Sequence, residues 1–521
     1  IMVDDKLIKI VQSTFSIYGL VLSRTLSISV AKQLSQLNED EQENWLTGVV
    51  ERVLSQNLKT PHVEIDHVRL AITDFMRSDV LKETETKLNV IDAYDIPKII
   101  YDLKKKKFVL QKVATNLYSD VTQKTILFKD RFETILYRLL RHELFVSRKL
   151  GEKNQSRIKL TPIESLFNES KTRDICLLVN FICTLLICLY FPYNCIYIFQ
   201  DGLIMEGSIV LVSGTYTSGV LYVKEIGFPP PESSDNSRAD FGDANTFGGP
   251  HPTSLKLSEK LKVYEESNQN GMIIFLSDLW LDNSAVLCKF KIMLDGLMDI
   301  PPIAFVICGD FLSFPENEFS PAAMKEGFKK LADLIVQYPT IKESSKFIFV
   351  PGPCDLGAPK ILPRRSLSKY VVEDVQKVIP EAVFATNPCR IQYCTKEIVV
   401  YREDILIKMC RNTLRFPSGE ESKVPNHVSF LIYFAKSIIC QAHLVPLTLT
   451  ASPVYWTHDY ALRLHPTPDL IVVADKYEPY STVYSNCHVI NPGSFPNNKF
   501  SFKTYVPSAN IIEDCEIPSP Q

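Results

Sequence analysis

The sequence predicts a multidomain α+β protein: an N-terminal helical bundle, a β-barrel in the middle and a C-terminal α/β layered domain. Three observations carry this. Residues 1 to 77 hold apolar side chains at a three-and-four spacing. Residues 158 to 228 change to alternating β-branched runs closed by a hairpin. From Gly271 onward, apolar strands that end in aspartate alternate with helical segments. At 521 residues the chain is long enough for several such cores.

The bundle is read from four segments. Leu7, Ile10, Val11, Phe15 and Tyr18 form the first stripe, and Val30, Ala31 and Leu34 the second, behind a cap at Ser27. Trp45, Leu46, Val49, Val50, Val53 and Leu54 follow the acidic start NEDEQE. A fourth helix after Pro61 carries Val68, Ala71, Ile72 and Phe75. Residues 78–157 are a connecting segment, containing NVIDAYDIPKIIYD, and a helix over 130–145 with Phe132, Ile135, Leu136, Leu139 and Leu140 on one face. Such a stripe is packing far more often than a site. SIVLVSGTY and VLYVKEIGF then make a hairpin around Thr217-Ser218-Gly219. The Pro- and Ser-rich 228–250 reads as exposed loop, within a linker and helix spanning 229–270.

Composition narrows the function. The chain is 45% hydrophobic and 22% charged with net charge −3, so no basic field draws it onto nucleic acid. The densest basic run, Lys104 to Lys107, is flanked by acids and reads as a solvated loop or strand edge. The thirteen cysteines form no CxxC pair, so structural zinc is not expected, and unpaired thiols suit the cytosol or nucleus. No basic and apolar leader opens the sequence, which argues against secretion.

The chemistry is to be sought at the C-terminal ends of the strands in 271–521. Their order, SDLW, CGDFLS, GPCD, a later His443, ADKY and NPGS, resembles the calcineurin-like metallophosphoesterases. Those enzymes carry DxH, GDxxD, GNH[DE], a lone His and GHxH at these places and hold two metals. The skeleton is kept and the ligands are lost. Asp278 remains but Trp280 replaces a His, and Asp310 remains but Ser313 replaces the bridging carboxylate. Pro353 and Cys354 replace the Asn ligand and the catalytic His before Asp355. Asp475 and Tyr477 stand where two imidazoles belong, and Lys476 between them would repel a dication. The remaining carboxylates are expected to accept hydrogen bonds that hold the rim loops. No catalytic residue, metal set or cofactor is expected, and Cys354 has no His beside it to make it a nucleophile. The competing reading is an active metal-dependent phosphodiesterase or exonuclease with an unusual ligand set.

A barrel followed by a vacated phosphoesterase domain resembles the B-subunits of replicative DNA polymerases. LFKDRFETILYRLLRHELF, IDAYDIPKIIYD, FVPGPCD, TNPCRIQYCTKEIVVYRED, PVYWTHDYALRLHPTPDLIVVADKY and INPGSF carry the likeness, closest to the epsilon branch. The resemblance implies an OB-fold at 158–228, an inactive calcineurin-like phosphoesterase domain at 271–521, and an N-terminal bundle like the lid of AAA+ ATPases. It further implies a nuclear, non-catalytic scaffold with three sets of partners. These are the C-terminal region of the polymerase epsilon catalytic subunit, the GINS part of the replicative helicase (met through the bundle), and the other polymerase subunits. DNA would be met mainly through the complex, and no membrane is expected. Tyr455, Trp456 and Tyr460 are either interface anchors or plain core.

One stretch departs from the pattern. Residues 175–200, ICLLVNFICTLLICLYFPYNCIYIFQ, lack any charge and hold four cysteines. A transmembrane helix, a divergent barrel core and a gene-model error such as a retained intron all compete. A bilayer span would split the barrel, and the error is the preferred reading.

Overall fold

The computed structural model describes residues 5–34, 39–55, 62–72 (without 64 and 66), 87–102, 107–111, 117–146 (without 118), 158–166, 172–180, 188–190, 201–217, 220–314 (without 240 and 243), 320–357, 360–415 and 426–518. They fall into two compact units, Ile1–Thr86 and Lys87–Gln521, each considered by itself.

In the first unit, α1 (Asp5–Ile17), α2 (Arg24–Leu34) and α3 (Glu39–Ser55) enclose one core with the helical residues 67–72. Val11, Phe15, Val30, Leu34, Trp45, Val49, Val53, Val68 and Ala71 fill it. Two expectations are corrected. The Ser23 hydroxyl, not that of Ser27, accepts the Leu26 amide at the start of α2, while Ser27 is buried one turn inside and bonds back to the Ser23 carbonyl. Ile10, Tyr18 and Leu54 lie on exposed sides, because a stripe drawn by spacing alone is wider than the face the partner helices cover. Phe75 lies outside the described residues.

The second unit opens with β1 (Leu88–Asp92), β2 (Lys98–Asp102), β3 (Lys107–Gln111) and α4 (Thr122–Arg141). The described part of the connecting segment therefore holds strands: β1 pairs with a strand far later in the chain, and β2 with β3. The helix begins earlier than expected and stops at Arg141, with Leu140 exposed. Then follow β4 (Arg173–Asn180), β5 (Cys188–Tyr190), β6 (Ile204–Met205), β7 (Ile209–Thr217) and β8 (Val220–Gly227). Four of these form one sheet in the order β4-β7-β8-β5, and β6 stands outside it. The anomalous run thus starts as a true strand. Residues 175–180 pair along β7 in unbroken antiparallel register, with Ile175, Cys176, Leu177 and Leu178 buried. Residues 181–187 and 191–200 lie outside the described residues, and among the described ones no helix is long and apolar enough to cross a membrane.

The stretch 228–250 is no exposed loop. Phe228 and Phe247 are buried, and a short helix, Ser234–Ala239, lies between them. Gly248 and Gly249 take positive φ and pass close against Ile91 and Pro97, where side chains would crowd them.

The remainder is a two-sheet sandwich built from β1 together with β9 (Ile273–Ser277), β10 (Ala304–Cys308), β11 (Lys346–Val350), β12 (Val383–Phe384), β13 (Cys389–Tyr393), β14 (Lys396–Arg402), β16 (Leu470–Ala474), β17 (Tyr480–Tyr484), β18 (Cys487–Asn491), β19 (Ser501–Val506) and β20 (Ile511–Glu516), while β15 (Thr413–Arg415) pairs with β6 apart from it. One sheet runs β12-β11-β10-β9-β19-β20 and the other β1-β13-β14-β16-β18-β17. Period-two alternation divides the central strands between two cores. Ile273, Phe275, Val306, Ile348, Val400 and Val472 meet between the sheets. Their neighbours Ile274, Phe305, Ile307 and Phe349 face outward onto the helices Ser284–Leu297, Ser320–Ile335 and Lys369–Val378. On the other sheet Val399, Tyr401, Ile471 and Val473 pack under the helix Asn426–Cys440. Strands buried on both faces in this way read as continuous apolar runs, which makes them legible in the sequence.

Helix α4 works as a tie between two cores. Ile135 and Leu139 pack on Cys176, Leu178, Ile209 and Leu211 of the barrel sheet. Along the edge of the same face Arg131 forks onto Asp459 (2.9 and 2.5 Å), and Arg138 donates to the carbonyls of Cys440 (2.9 Å) and Pro230 (3.0 Å). Gln441 adds a rung from the α/β side, its amide bonded to both the N–H and the carbonyl of Ile209 (2.7 and 2.8 Å).

Candidate functional site

The parallel strands β9, β10, β11, β14, β16 and β18 all deliver their C-terminal ends to one rim, where an open α/β sheet places its chemistry. Asp278, Asp310, Asp355, Arg402, Asp475 and Asn491 stand at or just beyond those ends.

Arg402 is the centre of the site. Its side chain is fully buried, with one terminal nitrogen 3.0 Å from Asp278 Oδ1 and 3.5 Å from Asp310 Oδ2. The other terminal nitrogen donates to Asp404 Oδ1 at 2.9 Å and to the Ala474 carbonyl at 3.3 Å, and Nε donates to the Gly309 carbonyl. Lys476 Nζ sits 3.0 Å from Asp310 Oδ2. Burial works against the arginine's charge, but Asp278, Asp310 and Asp404 overcome it and drive its pKa well up. Burial likewise opposes the Asp310 charge, yet Arg402, the Cys354 amide and Lys476 hold this carboxyl below its usual range.

The remaining carboxylates are used by the backbone. Asp278 Oδ1 accepts the Asp310 amide and Asp310 Oδ1 the Cys354 amide, both at 2.9 Å. Asp355 accepts the amides of Phe311 and Gly352, each at 2.7 Å. Burial and the nearby Asp310 carboxylate push Asp355 up to about 7 against those two donors. Asp475 takes the amides of Leu406 (3.0 Å) and Tyr477 (2.9 Å), and burial raises it to about 6. Asn491 locks the NPGS turn by accepting from Asp475 and Gly493. The glycines of GD and PGP are required here: a Cβ on Gly309 would collide with the Asp355 carboxylate, and one on Gly352 with Asp310.

The other expected rim residues divide. Ser313 bonds Asp282 through both its amide and its hydroxyl, and Trp280 packs on the outer core of the first sheet. Cys354 is half-buried, and burial raises its thiol's pKa, while Pro353 beside it is half-buried too. Tyr477 packs against the core under the second sheet. His443 is not brought to the rim carboxylates. Its Nδ1 accepts the Val445 amide at 3.0 Å, and Nε2 lies 3.3 Å from Asp459, in the Arg131 cluster. Burial and Arg131 lower its pKa and favour the neutral ring. Tyr460 is core, whereas Tyr455 and Trp456 are half-buried.

Sequence reasoning missed Arg402, although the signal was there: the apolar run IVVY ends in R-E-D at the same rim. A metal pair does not fit this donor set. A dication needs free carboxylates and imidazoles, and here a guanidinium and an ammonium already lie on Asp278 and Asp310. Among the described residues no group of three His, Cys, Asp or Glu side chains is arranged to hold a metal ion.

The helical module, the barrel sheet and the two-sheet sandwich each match a family model from the B-subunit class of replicative polymerases. The family model for the B subunit of DNA polymerases alpha and epsilon matches residues 273–482. "DNA polymerases epsilon N terminal" matches 3–75, and "DNA polymerase epsilon subunit 2-like, OB-fold domain" matches 121–183. The chain is 40% identical to human DNA polymerase epsilon subunit 2 over 97% of each chain. It is 36% identical to the Drosophila melanogaster counterpart over 98% of each. The Arabidopsis thaliana B subunit of DNA polymerase epsilon is 33% identical over 88% of this chain and 89% of that one. The chain belongs to the DNA polymerase epsilon subunit 2 family. Among solved structures, one titled "Structural and Functional Characterization of a Novel Archaeal Phosphodiesterase" is 12% identical with a TM-score of 0.26, covering 47% of this chain and 98% of that one. A likeness that slight adds nothing to the assignment.

Proposed function

We propose that the chain is a non-catalytic scaffold subunit of a nuclear polymerase epsilon holoenzyme. The barrel and sandwich clasp the C-terminal region of the catalytic subunit, and the N-terminal bundle reaches the GINS part of the replicative helicase in leading-strand synthesis. One observation carries the non-catalytic reading: the carboxylates Asp278 and Asp310, which the resemblance assigns to metal, are held instead by Arg402, Lys476 and backbone amides. The barrel and sandwich are tied together by α4 and Gln441, which suits a platform more than a mobile enzyme. Capture of the full chain by the catalytic subunit's C-terminal region, and its loss on deleting 87–521 but not 1–86, tests the clasp. Phosphodiester hydrolysis with Mn²⁺ that Asp310→Ala abolishes would overturn the non-catalytic reading in favour of the phosphodiesterase.

A further inference from the structure

We propose that Arg402 is a built-in replacement for the rim's metal, a resident cation that organises the strand-end loops and makes their assembly independent of added ions. This deepens the non-catalytic reading but is tested by folding measurements that partner capture does not touch.

Three facts lead to it. Arg402 has no exposed surface, and its donors reach Asp278, Asp310 and Asp404 as well as the carbonyls of Gly309 and Ala474. These groups come from the ends of four strands in two different sheets, β9, β10, β14 and β16, so a single guanidinium spans the sandwich. The carboxylates it bridges in turn fix the peptide chain: Asp278 holds the Asp310 amide, and Asp310 holds the Cys354 amide. A planar fork with five donors satisfies several acceptors at fixed angles, as a multivalent ion does for its ligands. Lys476, half-exposed, supplies a second positive charge on the outer oxygen of Asp310. Two side-chain cations therefore face Asp278 and Asp310, whose buried charges would otherwise repel. Deleting the guanidinium would leave a cavity lined by three carboxylates, shaped for a small planar cation.

The test is thermal unfolding of the full chain, with Arg402→Ala beside the wild type. The wild-type midpoint is expected to be unmoved by EDTA or by Mn²⁺, and a shift of several degrees with either would overturn the proposal. Arg402→Ala is expected to melt about 5 °C or more below wild type. Guanidinium chloride at about 20 mM, too dilute to denature, should restore part of that loss through binding to the native state. Equal urea or NaCl should not. A variant that melts with the wild type, or one that guanidinium fails to raise, sinks the idea. Should Arg402→Ala not fold, the triple variant Arg402→Met, Asp278→Asn, Asp310→Asn, which removes the guanidinium together with the two carboxylates it bridges, decides. Recovery of soluble, cooperatively melting protein supports a charge role, and continued failure overturns it.

Discussion

Replacing Asp459 by alanine removes the carboxylate that Arg131 and His443 share beneath α4. Both Asp459 and Arg131 are 8% exposed in their side chains, and Arg131 approaches it through two nitrogens. Burial opposes the Asp459 charge, but Arg131 and His443 outweigh it and hold the carboxyl far below the usual range. Without it, a guanidinium stays buried and, among the described residues, the Val445 carbonyl at 3.4 Å is left to receive it. Breaking one partner out of a buried pair of this kind costs about 3–5 kcal/mol. Urea unfolding of the full chain, followed by circular dichroism, should show that loss. The double variant Arg131→Met, Asp459→Leu should recover at least half of it, since no charge is then stranded. The pH dependence has a fixed sign. A carboxyl whose folded pKa is depressed contributes stability above its unfolded value of about 4 and loses it as pH falls further. The gap between wild type and Asp459→Ala should therefore narrow on acidification below about pH 5. A single-variant loss under about 1 kcal/mol, the size of a solvated surface pair, would refute the clamp.

Three further outcomes are expected. Phe349→Ala empties a ring stacked 4.9 Å from Phe384 and edged by Phe328 at 5.5 Å, and should lower unfolding free energy by about 3–5 kcal/mol. Gln441→Ala leaves the Ile209 N–H and carbonyl without their side-chain partner, and should destabilise by about 1–3 kcal/mol. Hydrogen exchange at the Ile209 amide should quicken more than at mid-strand β9. For Asp355, burial raises the folded pKa to about 7, so its protonation favours the fold below the unfolded value near 4 and that contribution fades as pH rises to 7. Urea midpoints of Asp355→Asn relative to wild type should improve between about pH 5 and pH 8, and a gap that widens instead would contradict the assignment.

Much of the architecture is written locally. Strands such as AFVIC and LIVVA are apolar on both faces, and the acids that follow them mark the rim. What stayed hidden was non-local. LNVID looks like a connection because the partner that makes it a strand, CRIQY, is distant and leaves no local trace. The segment around Phe228 and Phe247 has a loop's composition, and it is buried by distant partners: Phe228 by the barrel-sheet core, Phe247 by the core that holds Ile91. Arg402 escaped because metal ligands are acids and imidazoles, while the residue that replaces a metal carries the metal's own sign of charge. His443 was placed by its order in the chain, yet the fold uses it away from the rim, beside Asp459 under α4.

The pairing of β1 with β13 has a consequence for synthesis. Ala93 and Thr386, bonded at the end of that pairing, are 293 positions apart, and the whole barrel is translated between them. At roughly 5–20 residues per second, β1 waits on the order of 15–60 s for its partner. During that interval the barrel can close first, while LNVID leaves an unsatisfied strand edge open to chaperones or to a neighbouring nascent chain. The sandwich is therefore the last part of the molecule to be completed, and its earliest strand is the one longest at risk of pairing elsewhere.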